Sequence, residues 1–169
     1  MSFKFNVKMA KLLLILIIIT FFLPFISVSC GPRDAGVNIS GFEIAAGKTV
    51  GGQRHRGEPV GFVLAVPAAA LLLWSVYAYD TKYTALYQFY KTALFIAPVF
   101  NIFAAFIIKY AAKAVIAKKI YNATGFNIGV KTGIKYGFVL YVFFSAALFV
   151  FAAVNYFLKR EEPNNEQPI

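Results

Sequence analysis

The sequence predicts an all-α membrane protein built from four transmembrane helices. Three observations carry that prediction. Hydrophobic residues make up 60% of the 169-residue chain and charged residues only 14%, too few to cover a water-soluble domain of this size. The apolar residues fall in long unbroken blocks, not in the alternating patterns of half-buried elements. Four of these blocks approach the roughly 20 residues needed to cross a hydrocarbon layer about 30 Å thick. A barrel is disfavoured, because barrel strands alternate and number about eight or more.

The first predicted span covers residues 12–29, behind Lys4, Lys8 and Lys11. It ends in FFLPFISVSCG, which carries the single cysteine of the chain, Cys30. A basic start, an apolar stretch and Cys-Gly fit a lipoprotein signal loosely, with lipid on Cys30. The length of the block, Pro24 within it and Ser27 in the place a lipobox gives to Leu favour a retained helix. One cysteine permits no internal disulfide.

The connection to the next span holds Arg54-His55-Arg56, read as a solvated basic turn with a headgroup site as the sharper alternative. Phe42, Ile44 and Val50, with glycines between them, predict a short β-hairpin capping the helices. The second span covers 60–79 and the third 92–108. Between them Tyr83, Tyr87 and Tyr90 follow Trp74 at helical spacing. Rings with a polar tip favour the headgroup zone, so these four are expected to anchor the interface. Lys8, Lys11, Arg54, Arg56 and the pair Lys159-Arg160 are the basic anchors. The fourth span covers 136–158. Residues 1–160 thus form one transmembrane domain, followed by a polar, flexible tail at 161–169.

Two connecting segments match. Residues 38–44 and 122–128 both read N-x-[S/T]-G-F-x-I, and Lys-Thr follows each, at Lys48-Thr49 and Lys131-Thr132. The match predicts a 2+2 repeat with both loops on one membrane face. Small residues mark helix contact faces in lipid. The rows Gly61, Ala65, Ala69, then Ala97, Asn101, Ala105, then Gly129, Gly133, Gly137 are therefore the expected packing positions. Asn101 is the strongly polar side chain near the middle of a span and should seek an interhelical hydrogen bond. Pro67 and Pro98 each lack a backbone donor and are candidate kinks.

The basic excess, 17 Lys and Arg against 7 Asp and Glu, points to membrane lipids with anionic headgroups as partners. Basic residues scattered at block ends argue against nucleic acid. A plain positive-inside count favours the termini outside. The purely basic flank of the first span and the Lys159-Arg160 pair favour the opposite, and both termini are expected to be cytoplasmic. Lys109, Lys113, Lys118 and Lys119 read as a surface helix.

No Asp, Glu, Arg or His lies within the four blocks, which argues against proton relays and coupled transport. Asp34, Glu43 and Glu58 share one loop at spacings without a preferred geometry. No catalytic residue, cofactor or metal is expected.

Pro24-Phe25 with Val28-Ser29-Cys30-Gly31, and Gly41-Phe42-Glu43-Ile44-Ala45 with Gly47, resemble a group of small bacterial four-span membrane proteins. That resemblance covers residues 20–50 and the span layout, and implies a fold and a location in the bacterial cytoplasmic membrane but no activity. The layout also looks like that of claudins, without their loop Trp and paired Cys. The expectation is a non-catalytic accessory subunit that contacts other membrane subunits. The alternatives are a passive channel or lipid-binding protein, and an anchor lipidated at Cys30.

Overall fold

The computed structural model describes residues 7–29, 36–50, 53–80, 84–124 and 131–158. In chain order it forms α1 (Val7–Phe21), β1 (Pro24–Ser29), β2 (Val37–Ser40), α2 (Gly41–Ala46), β3 (Gly47–Val50) and β4 (Gln53–Arg56). A 3₁₀ turn (Pro59–Leu64) follows, then α3 (Val66–Asp80), α4 (Thr84–Thr124), β5 (Lys131–Ile134) and α5 (Tyr136–Leu158). The fold is mostly helical with a small sheet. Two helices are long and apolar enough to cross a membrane, through Phe89–Ala111 and Tyr136–Asn155.

Each long helix turns one stripe inward. Ala10, Leu14, Ile17 and Phe21 are buried on α1, while Leu12, Ile15, Ile19 and Phe22 face out. That spacing of three and four is one face of a helix. On α4 the buried stripe is Tyr90, Leu94, Pro98, Asn101, Ala105 and Ile108. On α5 it is Phe138, Tyr141, Ser145, Leu148, Ala152 and Asn155. α5 packs against α1 and α4, and α3 packs against the same two helices. The four longer helices therefore close a ring of neighbours around one core.

The first span differs from expectation. Its helix stops at Phe21, tightened by the Phe22 and Leu23 amides donating to Ile19 and Thr20 carbonyls. Pro24 has no N–H to continue the ladder. Beyond it the alternation Phe25, Ile26, Ser27, Val28, Ser29 suits a strand, and β1 pairs antiparallel with β2 and β5. The second span also starts later than predicted. Residues 60–64 belong to the 3₁₀ turn entered through Pro59, and Pro67 lies in the first turn of α3, where a missing donor costs nothing. Pro67 is therefore a helix starter and no kink. Pro98 does lie inside α4.

α4 runs unbroken for 41 residues, about 60 Å at 1.5 Å per residue. The predicted third span and the predicted lysine-rich surface helix are one element. Only the fourth span matches its apolar block at both ends.

The predicted hairpin is present, though shifted. Phe42 and Ile44 fall in α2, and the hairpin is β3 with β4, registering Gly47 with Arg56 and Val50 with Gln53. The two copies share local structure in part: Lys48-Thr49 and Lys131-Thr132 both lie in strands. Asn38–Ser40 ends a strand, Asn122–Thr124 ends α4, and residues 125–128 lie outside the described residues. The two long connections do meet at one end: β5, between α4 and α5, pairs with β1, Ile26 opposite Ile134.

Candidate functional site

Two polar constellations stand out, one in the cap of loops and sheet and one in the helical core. The cap begins at Ser40, the N-cap of α2. Its hydroxyl accepts from the Glu43 N–H at 3.1 Å, and the Glu43 carboxylate accepts from the Ser40 N–H at 2.8 Å. This reciprocal capping box satisfies two amides that the helix start leaves open. Lys48 on β3 places its ammonium 2.9 Å from the second carboxylate oxygen of Glu43 and also donates to the Asn38 carbonyl. Partial burial pushes the Glu43 carboxyl up. The Ser40 amide and Lys48 outweigh it and hold the group below its ordinary value of 4.5.

Such a short helix cannot stand alone, and α2 is seated by close backbone contact. Gly61 of the 3₁₀ turn packs on Ala45, and the Glu58 N–H donates to the Ile44 carbonyl at 2.8 Å. At Gly57 a Cβ would meet the Gly47 nitrogen at 2.3 Å and the Ala45 oxygen at 2.4 Å. A side chain is excluded there by the backbone of the α2–β3 junction. Another contact of this kind is Gly137 at the start of α5, where a Cβ would lie 2.5 Å from the Pro24 carbonyl oxygen.

Below α2 lies an aromatic group. Phe22 and Phe42 stack at 5.4 Å, Phe42 meets Phe62 at 6.4 Å, and buried Phe21 touches all three. Phe22, Phe42 and Phe62 are exposed. Against α2 opens a cleft of about 420 Å³ lined by Ala45, Ala46, Arg56, Gly57 and Pro59.

The core constellation lies between α4 and α5. Asn101 is 1% exposed and Ser145 is 0% exposed. Asn101 Oδ1 and Ser145 Oγ have no hydrogen-bond partner in the structure. Ring contacts bracket them: Phe106 meets Phe138 at 5.5 Å and Phe95 meets Phe149 at 4.9 Å. In this antiparallel register Asn101 and Ser145 fall at neighbouring levels. One turn along α5, the buried Tyr141 hydroxyl donates to the Leu64 carbonyl at 2.7 Å, tying α5 to the turn beneath α2. Other buried polar groups stay within their own helices: Thr20 donates to Ile17, Ser75 to Leu72 and Asn155 to Phe151.

The predicted packing rows separate into two kinds. Ala105 is buried and Ala65, Ala69 and Ala97 are half-buried between helices, but the glycines serve the cap. Gly61 meets α2, Gly133 sits in β5 facing Ser27, and Gly137 meets the junction of α1 and β1. Gly129 lies outside the described residues. Asn101 is in the core as expected, without the interhelical bond.

Of the anchors, Lys8 is exposed, Lys11 and Trp74 are half-buried, and Arg56 lines the cleft. Tyr90 is buried at 1% exposure and faces the core, not the headgroup zone. Tyr83, Lys159, Arg160 and Cys30 lie outside the described residues, as do the side chains of Arg54 and Tyr87. Of the three loop carboxylates, Glu43 is committed to its cap, and Asp34 lies outside the described residues. Among the described residues no three His, Cys, Asp or Glu gather around a metal position.

The capping box and the Tyr141 bond were missed by sequence reasoning. The first had a signal, since Ser40-Gly41-Phe42-Glu43 is an S-x-x-E start. The second had none, because its partner is a carbonyl 77 positions away. Comparison with protein-family models, characterised proteins and solved structures finds no match to this chain.

Proposed function

We propose that the chain is a small integral membrane protein, a four-helix bundle with a structured cap, serving as a non-catalytic accessory subunit of a larger membrane assembly. One observation carries the reading: every long helix keeps large apolar side chains on its outer face. Ile19 on α1, Leu73 on α3, Phe103 and Ile107 on α4, and Phe143 and Val150 on α5 are all exposed. In water such an exterior is costly, at about 25 cal/mol for each Å² of apolar surface left wet. Lipid tails or neighbouring helices remove that cost.

α1 and α3 have 15 residues each, about 22 Å of helix. They reach across the hydrocarbon with help from their extensions, β1 and the 3₁₀ turn, in contact with the cap. The location is the bacterial cytoplasmic membrane, with both termini on the cytoplasmic side and the sheet end outside. Membranes washed with carbonate and high salt should retain the chain, and gentle detergent should release it with partner subunits bound. A monodisperse monomer without co-purifying protein overturns the accessory role. A second reading, a passive polar path, has the unpartnered Asn101 Oδ1 and Ser145 Oγ in its favour. Flux through liposomes containing the protein, lost in Asn101→Leu, distinguishes it.

A further inference from the structure

We propose that the cleft beside Arg56 is a docking site for the phosphate of an anionic phospholipid. The inference rests on the reading of this chain as a bilayer protein, and it names one occupant at one place. Four features of the cleft point to that occupant.

The first is charge. Of the two cations described on the hairpin, Lys48 is neutralised by Glu43. Arg56 has no ion pair or side-chain hydrogen bond among the described residues. Among the described residues no carboxylate lines the cleft; Glu58, between two lining residues in sequence, is not part of its wall. An unpaired guanidinium fork against apolar walls matches a phosphate, which accepts two parallel N–H bonds.

The second feature is the character of the walls. Ala45, Ala46, Gly57 and Pro59 offer no competing charge. A soluble anion gains nothing from such walls, whereas a headgroup tethered to acyl chains does. The third is level. The outward stripe of α1 ends at Phe22, and the exposed rings of Phe22, Phe42 and Phe62 follow directly. Exposed rings at the end of an apolar stripe suit the edge of the hydrocarbon, and α2, which carries Phe42, also supplies the cleft wall through Ala45 and Ala46. A lipid whose phosphate meets Arg56 can run its glycerol and chains down over Phe42 and Phe62.

The fourth feature is rigidity. The floor is held by the Gly57 contact with Ala45 and Gly47, the Glu58 to Ile44 hydrogen bond and the capping box. The hairpin carries Arg56 in fixed register opposite Gly47. A preformed site spends less of its binding free energy on ordering itself.

The test uses the full chain purified in mild detergent, titrated with phosphatidylglycerol and, separately, phosphatidylcholine, with bound lipid read by native mass spectrometry. Wild type should retain phosphatidylglycerol in preference to phosphatidylcholine. Arg56→Gln should lose at least about fivefold of that preference, the worth of one basic residue at an anionic surface, with an unchanged thermal midpoint. Arg56→Lys should fall between, since it keeps the charge and loses the fork. Lys131→Gln, which removes an exposed cation on β5, should behave as wild type. Inorganic phosphate at matched concentration should not displace the lipid.

Equal retention of the two lipids overturns the proposal, as does equal retention by wild type and Arg56→Gln. A loss in Lys131→Gln as large as in Arg56→Gln reduces the effect to general charge and overturns it too. Displacement by inorganic phosphate reassigns the cleft to a free anion. Release of the chain by carbonate instead removes the membrane reading itself, an outcome separate from any of these.

Discussion

The cap and the core handle polar groups in opposite ways. In the cap, Ser40, Glu43 and Lys48 satisfy one another within ten residues of chain. Glu43 and Lys48 stay part-exposed, so water is a tolerable alternative partner for both. In the core, Asn101 Oδ1 and Ser145 Oγ are sealed between helices without partners. There a missing hydrogen bond costs about 1–3 kcal/mol. The cap is thus specified by local chemistry, and the core by packing that carries two polar atoms at a cost. Such a cost is expected where a side chain serves something other than stability.

Four perturbations separate the cap from the core, in decreasing order of expected effect. Gly57→Ala drives a methyl group into the backbone of residues 45–47, where α2 gives way to β3. It should lower stability by about 3 kcal/mol or more, read as a fall in the thermal midpoint in detergent and as early proteolysis of the hairpin. A midpoint unchanged by this substitution would show that α2 does not depend on its seat. Tyr141→Phe removes the one described bond from the core to the turn under the cap. Leaving the Leu64 carbonyl unpaired should cost about 1.5 kcal/mol, with faster amide exchange in residues 61–65.

The third substitution reverses sign. Asn101→Leu replaces an unpartnered amide by an apolar group of similar size and should stabilise the protein by about 1 kcal/mol. A loss of stability there would mean that Asn101 has a partner in solution, and the contrast between cap and core would narrow. The smallest effect is the Glu43 linkage. Its carboxyl is depressed in the folded chain. Its contribution is therefore present above the ordinary value of 4.5 and is lost as pH falls through the lower folded value. The amplitude should stay below about 1 kcal/mol for a part-exposed pair. Exchange at the Ser40 and Glu43 amides should rise in that acid range, and Glu43→Gln should flatten the profile.

How far the sequence led depended on the scale of the signal. α5 was legible to its ends because Lys135 and Lys159 bracket an apolar block of helical length. The Leu12–Ser29 block misled, because hydropathy has no period at Pro24. The alternation of Ser27 and Ser29 with Ile26 and Val28 was the available sign of a strand. α4 was divided at its lysines, although charge ends an apolar block without ending a helix. Gly61, Gly133 and Gly137 make close contacts with the cap, not with a facing helix. Spacing along one element says that a face is small, and not what lies against it. The Arg56 cleft was visible only as a basic turn, since its walls come from segments ten or more positions apart.

The pairing of β1 with β5 also sets an order of events during synthesis. Ile26 leaves the ribosome about a hundred residues ahead of Ile134, so the middle strand waits with one side open through most of translation, as non-local pairings must. A nascent chain halted before residue 131 would hold α1 to α4 yet present that bare strand edge to whatever stands at the insertion machinery. The last strand closes the sheet and, by pinning the start of α5, delivers the final helix into place.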